Sequence, residues 1–129
     1  LGHITTFGGH PLSVAASAAV LEYLVSSDLM EKVANKAALF KSQLAHDAIS
    51  EIRSAGLLMA VQLKEKSWLG PVVGKLLERG IMTDYFLFND CSFRIAPPLI
   101  VEDDQIIEGC RIIREVLDEV VQKNSDLVI

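Results

Sequence analysis

The residues best suited to binding chemistry lie close together near the start of the chain. Thr5 and Thr6 supply two hydroxyl groups, and Gly8 and Gly9 then allow a tight backbone turn. Pro11 suits the first turn of a helix, where its missing N–H costs nothing. Because a helix N-terminus offers unpaired N–H groups and a partial positive charge, the stretch favours a phosphate site. A loop that enters a capped helix explains the same residues, and the spacing matches no Walker or dinucleotide fingerprint.

The other reactive side chains do not form a recognisable catalytic set. The three histidines, His3, His10 and His46, are scattered along the chain, so no metal site is expected. The two cysteines, Cys91 and Cys110, follow neither metal-binding nor redox spacing. The seven lysines lie on predicted helices, at their edges or near the end of the chain. The residues alone therefore assign no catalytic group.

Arg94 is a charged side chain in an unusual place. It lies in an apolar segment that Pro97 and Pro98 bring to an end. A charge in an apolar strand requires a partner. A salt bridge to a nearby acid such as Asp90 would supply one.

Length, composition and charge exclude several classes of protein. The 129 residues suffice for one domain with a core, and because half of them are hydrophobic, we expect apolar surface that meets another domain or subunit. The net charge of −5 argues against a nucleic-acid partner, since no basic patch is available to neutralise phosphates. The apolar runs are too short to cross a bilayer, and no signal-peptide pattern is visible. We therefore expect no membrane partner and a cytoplasmic location.

Hydrophobic periodicity and turn residues predict four helices and three extended segments. The helices span residues 11–25, 28–46, 68–79 and 103–122, and the extended segments span residues 52–63, 81–85 and 92–96. Alanine on several faces of the first helix predicts that it is buried. Gly56 predicts a bulge or turn, and the apolar run after it predicts a strand covered on both sides. The predicted fold class is α+β, a small sheet covered by helices.

The second predicted helix combines an apolar face with a charged one. The apolar positions recur at helical spacing and comprise Met30, Val33, Ala37, Phe40 and Leu44. Lys32, Lys36 and Lys41 lie largely off that face, so we expect all three in solvent. The last predicted helix has a similar apolar stripe, which comprises Ile106, Cys110, Ile113, Leu117 and Val120.

Three segments resemble, in order, segments of the class III pyridoxal-phosphate aminotransferases, which include the ornithine, acetylornithine and 4-aminobutyrate enzymes. Residues 3–12, HITTFGGHPL, are similar to the region after the catalytic lysine of that family. Residues 52–63 resemble a strand with the pattern R-x-x-G-L, and residues 93–99, FRIAPPL, resemble the R-x-x-P-P-L segment. The matches cover nearly the whole chain. His10 stands where the family most often has Asn, which leaves the subfamily open.

The resemblance implies the C-terminal part of a fold-type I enzyme. Residues 1–26 would form the cofactor-phosphate loop and a long linking helix from the large domain. Residues 27–129 would form the small C-terminal α+β domain. Because the chain begins without Met and inside the first motif, we expect a fragment of a longer protein.

The resemblance also implies roles for individual residues. Thr6 matches the threonine that binds the phosphate of pyridoxal 5'-phosphate in the active site of the neighbouring subunit, and Thr5 is the adjacent alternative. Arg94 matches the arginine that binds the substrate α-carboxylate through a planar, two-point fork. The catalytic lysine of the family lies upstream of Thr6, so we expect no catalytic residue in this chain.

The predicted function is transfer of an amino group between an amino acid or amine and a 2-oxo acid. It requires pyridoxal phosphate as electron sink and a homodimer that shares its active sites. We do not expect the fragment to catalyse alone. Two alternatives stay open: a pyridoxal-phosphate-dependent aminomutase or decarboxylase, and a non-enzymatic α+β interaction domain in which Thr6 and Arg94 are structural.

Overall fold

The computed structural model describes residues 5–125, so His3 lies outside the described residues. The chain divides into two compact units, Leu1–Lys32 and Val33–Ile129. The predicted division after residue 26 stays a prediction. Within the described residues, no single helix is both long and apolar enough to cross a membrane, and only the first two helices taken together pass that test of length and composition.

The first unit consists of a turn and a helix. Helix α1 spans Pro11–Ser26, as predicted, with proline in its first turn. None of its residues, all of which are described, is buried, so the predicted burial of this helix is wrong for this chain. Small side chains on every side give α1 no distinct apolar stripe that would select one covered face. Leu12 and Val25 are exposed accordingly.

The second unit is a four-stranded antiparallel sheet with helices. The strands are β1 (Ile49–Ala55), β2 (Leu58–Leu63), β3 (Asp84–Phe86) and β4 (Asn89–Ile95), in the spatial order β1-β2-β4-β3. The helices are α2 (Leu29–Gln43), which begins in the first unit, α3 (Leu69–Glu78), which follows a 3-10 helix at Lys66–Trp68, and α4 (Asp103–Ser125). The predicted α+β class is confirmed.

The extended segment predicted over residues 52–63, with a bulge or turn at Gly56, is two strands joined by a turn. Gly56 has a φ of +59°, which turns the chain so that β1 and β2 pair as a hairpin. A Cβ at Gly56 would also lie 2.8 Å from Cγ1 of Val33 on α2. Burial alternates along β2, where Met59 and Val61 are buried and Leu58 is exposed. The prediction of cover on both sides is therefore wrong, because only one face of this antiparallel sheet meets the core.

One continuous core joins that face of the sheet to the helices. The residues of the predicted α4 stripe are all buried, namely Ile106, Cys110, Ile113, Leu117 and Val120. Val72 and Leu76 from α3 and Phe93 from β4 have no exposed surface at all. Burying a side chain of this size stabilises the fold by about 1.5–3 kcal/mol. The core therefore holds β4, the strand that carries Arg94, against α3 and α4.

Helix α2 matches its predicted apolar face with two exceptions. Ala37, Phe40 and Leu44 are buried as predicted, whereas Met30 is 62% exposed. Lys36 is only 6% exposed, so the prediction that it lies in solvent is wrong. Its spacing, four residues before Phe40, places it on the same face as the core residues.

Candidate active-site residues

Arg94 lies on β4 with its guanidinium partly exposed. Its Nη2 donates to Oδ2 of Asp84 over 3.2 Å, and the two residues are direct cross-strand partners on β4 and β3. Asp90, the acid named as an example of a possible partner, instead contacts Lys66, with 2.5 Å between Oδ2 and Nζ, so the salt bridge of Arg94 is made with a different acid. Asp84 is the partner because the pairing of β3 with β4 places it opposite Arg94.

A cavity of about 310 Å³ lies beside Arg94. Most of its lining is apolar and includes Phe40 from α2, Phe93 from β4 and Pro97 from the segment after β4. Thr83 and Arg94 add polar groups, and the Thr83 hydroxyl donates to the Arg94 carbonyl oxygen. A mostly apolar pocket with a few polar groups is the usual form of a small-molecule site. Arg94 follows the buried Phe93 on β4, so its guanidinium lies on the opposite, exposed face of the sheet, where it can bind a carboxylate at two points.

The turn before α1 contains the predicted phosphate ligands. The N–H of Gly8 donates to the Thr5 carbonyl oxygen over 3.3 Å, and Gly9 has a φ of +76°. A Cβ at Gly8 would lie 2.2 Å from Oγ1 of Thr5, so glycine leaves the space that this hydroxyl occupies. Thr6 is exposed.

These residues fit an anionic group. The first turn of α1, which is fully described, has no acidic residue, and His10 at its N-cap makes no side-chain hydrogen bond to the helix. Its first N–H groups therefore have no competing side-chain acceptor, and the hydroxyl of Thr6 lies just before them in the chain. Thr5 and Thr6 belong to the first unit, and Arg94 belongs to the second.

His46 makes structural contacts with both ring nitrogens. Its Nδ1 accepts the N–H of Ala48 over 3.0 Å, so Nε2 carries the proton that it donates to Asp118 Oδ1, also over 3.0 Å. It lines a wide, open cleft of about 760 Å³ together with Trp68. The imidazole links the end of α2 to α4.

The two cysteines differ in surroundings. Burial raises the pKa of the Cys110 thiol to about 11. Burial, and then the neighbouring Asp90 carboxylate, raise the pKa of the Cys91 thiol. The hydrogen bond from Lys66 lowers the pKa of the Asp90 carboxyl and raises that of the Lys66 ammonium. Both thiols are therefore poor nucleophiles at neutral pH.

Near the candidate site, the sequence does not indicate Asp84 and predicts the wrong surroundings for Lys36. Asp84 was missed because strand register is not visible in one sequence. Lys36 is buried, in contrast to the predicted solvent exposure, and its spacing from Val33 and Phe40 is that of a core position. Its Nζ donates to the Leu99 carbonyl oxygen over 2.9 Å, close to the end of β4.

Comparison with known proteins identifies the family. The family described as Aminotransferase class-III matches residues 1–117, so this chain belongs to the class III aminotransferases. The acetylornithine aminotransferase of Caldanaerobacter subterraneus subsp. tengcongensis is 35% identical over 125 residues, which cover 92% of this chain and 30% of the relative. Ornithine aminotransferase 2 of Staphylococcus aureus is 36% identical over 117 residues, which cover 88% of this chain and 28% of the relative. The chain thus spans about 30% of the length of the relatives it matches.

Solved structures agree with this assignment. The ω-transaminase from Pseudomonas jessenii in complex with PMP superposes with a TM-score of 0.82 at 26% identity, over 95% of this chain and 30% of that one. The acetylornithine aminotransferase from Elizabethkingia anophelis gives a TM-score of 0.78 at 27% identity, over 92% of this chain and 33% of that one. The family and fold class predicted from the sequence are therefore confirmed.

Proposed function

We propose that this chain forms the C-terminal part of a pyridoxal-phosphate-dependent aminotransferase, which transfers an amino group between an amino acid or amine and a 2-oxo acid. One observation carries the proposal: in a chain of the class III family, a partly exposed arginine lies on the open face of the sheet, where an exposed carboxylate is its partner. The names of the acetylornithine and ornithine aminotransferase relatives support this class of substrate.

Arg94 would bind the α-carboxylate of the substrate. Its planar guanidinium donates two parallel hydrogen bonds, which fix both carboxylate oxygens and therefore the direction of the Cα–H bond. When bound, pyridoxal phosphate supplies the electron sink for proton removal at Cα.

Thr6 would bind the cofactor phosphate, with Thr5 as the alternative. The exposed hydroxyl of Thr6 and the N–H groups of the first turn of α1 are donors with no acidic neighbour in that turn. The PMP bound to the Pseudomonas jessenii transaminase supports a cofactor of this class. We further propose that the complete enzyme is a homodimer in which this loop contributes to the active site of the neighbouring subunit.

The proposal is tested by comparing the complete enzyme with the isolated chain. The complete enzyme, loaded with pyridoxal phosphate, should transfer amino groups from α-amino acids to 2-oxo acids. The isolated chain should show no turnover and no saturable, borohydride-trappable adduct at one defined lysine. Absence of transamination in the complete enzyme with a broad amino-donor panel would refute the proposal, as would turnover by the isolated chain.

A further inference from the structure

Lys36 is a buried ammonium group with a specific partner. It lies on the core face of α2, only 6% exposed, and donates from Nζ to the carbonyl oxygen of Leu99 over 2.9 Å. Burial of an ammonium group is costly unless hydrogen bonds replace its lost water. Surface lysines keep a protein soluble, but a buried lysine does not, so the role of Lys36 must lie in the contact that it makes.

The partner of Lys36 belongs to the segment that follows the Arg94 strand. Strand β4 ends at Ile95, and the next residues include Pro97 and Pro98, which have no backbone N–H to donate. Contacts to carbonyl oxygens help to hold this segment. The N–H of Val101 donates to the Pro98 carbonyl oxygen over 3.0 Å, and Lys36 binds the carbonyl oxygen of the next residue, Leu99.

This segment and α2 both border the cavity next to Arg94. Phe40, one turn after Lys36 on α2, lines the cavity together with Pro97 and Pro98. The contact of Lys36 with Leu99 therefore joins two walls of the cavity. The Thr83 hydroxyl donates to the Arg94 carbonyl oxygen. The segment from Arg94 to Leu99 is therefore held at both of its ends, by Thr83 at the Arg94 carbonyl group and by Lys36 at the Leu99 carbonyl group.

We propose that Lys36 is a positioning residue for the Arg94 carboxylate clamp, which acts by holding the segment after β4 through the Leu99 carbonyl group. The proposal rests on the proposed function of Arg94. Without the ammonium donor, the proline-containing segment loses its link to α2, and the guanidinium becomes less well placed for a two-point contact. The effect should fall on substrates that use the clamp.

The test compares Lys36→Met with Lys36→Arg in the complete enzyme. Lys36→Met keeps the aliphatic stem and removes the donor, so KM for an α-amino acid should rise about fivefold or more. The rate with a primary amine that lacks the carboxylate should change less than twofold. Lys36→Arg keeps a charged donor and should recover most of the amino-acid KM. Lys41→Met removes an exposed lysine from the same helix and should leave both substrates unchanged.

A double variant separates positioning from general support of the fold. If Lys36 acts through Arg94, Lys36→Met in an Arg94→Lys background should add little further loss with the amino acid. Equal losses with both substrates, an unchanged KM, or fully additive losses would overturn the role of Lys36. If Lys36→Met does not fold, Lys36→Gln, which is polar but too short to reach, is expected to show the same selective loss. A wild-type enzyme without transamination, or one in which Arg94→Lys has no selective effect, would refute the proposed function instead.

Discussion

Arg94 and Asp84 face each other across β3 and β4, and Nη2 of the arginine lies 3.2 Å from Oδ2 of the aspartate. Both side chains are about half exposed, at 43% and 58%. A pair of this kind contributes only about 0–1 kcal/mol. The guanidinium therefore has a carboxylate partner that a second carboxylate can replace at little cost.

The first prediction is that Arg94→Lys in the complete enzyme lowers kcat/KM for α-amino acids about ten- to a hundredfold, or roughly 1.4–2.7 kcal/mol of transition-state binding. Lysine keeps the charge but loses the planar fork, so the substrate can rotate away from its productive alignment. Half-reaction kinetics with an α-amino acid and with an amine that lacks the carboxylate check this. The amine should be much less affected, and equal losses together with a lower Tm would make Arg94 structural.

The second prediction concerns the partner of the clamp. Asp84→Asn removes the competing charge and keeps an Oδ1 that can accept the Tyr85 N–H, a contact of 2.8 Å in the native chain. KM for α-amino acids should therefore fall up to about fivefold, with stability unchanged within about 0.5 kcal/mol. Steady-state kinetics with the same two substrates and a thermal melt measure both effects. A rise in the amino-acid KM would show that Asp84 orients Arg94 and does not compete for it.

Helix α4 could be predicted because its apolar periodicity extends over many residues. The stripe from Ile106 to Val120 predicted both the existence and the buried face of α4. The hairpin at Gly56 was harder, because a glycine in an apolar run is equally consistent with a bulge. The antiparallel pairing of β1 with β2 shows that Gly56 forms a turn and not a bulge. Such pairing depends on contacts between residues that are distant in sequence.

The candidate site could be predicted only as separate residues. Thr6 and Arg94 were found through the resemblance to a family, whereas the surroundings of Arg94 were not. Asp84 is the partner of Arg94 because the register of β3 and β4 places the two residues opposite each other. Lys36 is buried, although a charged side chain on a helix usually lies in solvent. The carbonyl oxygen that Lys36 binds is 63 residues away, and no local pattern reports such a contact.

The third prediction is that Thr6→Ala weakens retention of pyridoxal phosphate more than it changes substrate preference. Loss of one hydrogen bond to a charged phosphate costs roughly 1.5–3 kcal/mol, so the Kd of the cofactor should rise about ten- to a hundredfold. Cofactor titration of the complete enzyme measures this Kd, with Ser17→Ala as the control for an exposed hydroxyl on α1 outside its first turn. A larger effect of Thr5→Ala would transfer the role to Thr5, and no effect of either would leave both as loop residues.

The last prediction is a loss of stability at alkaline pH that depends on Cys110. This thiol has no exposed surface, and burial raises its pKa from 9.0 to about 11. Between these values the folded state binds more protons than the unfolded state, so the free energy of unfolding falls as pH rises through this window. The loss is on the order of 2 kcal/mol. Denaturant unfolding at pH 8 and at pH 11 measures it, and Cys110→Ala, which cannot ionise, should lose less stability by that amount. Parallel pH profiles for the wild type and the variant would show that the thiol ionises as readily in the folded state as in the unfolded one.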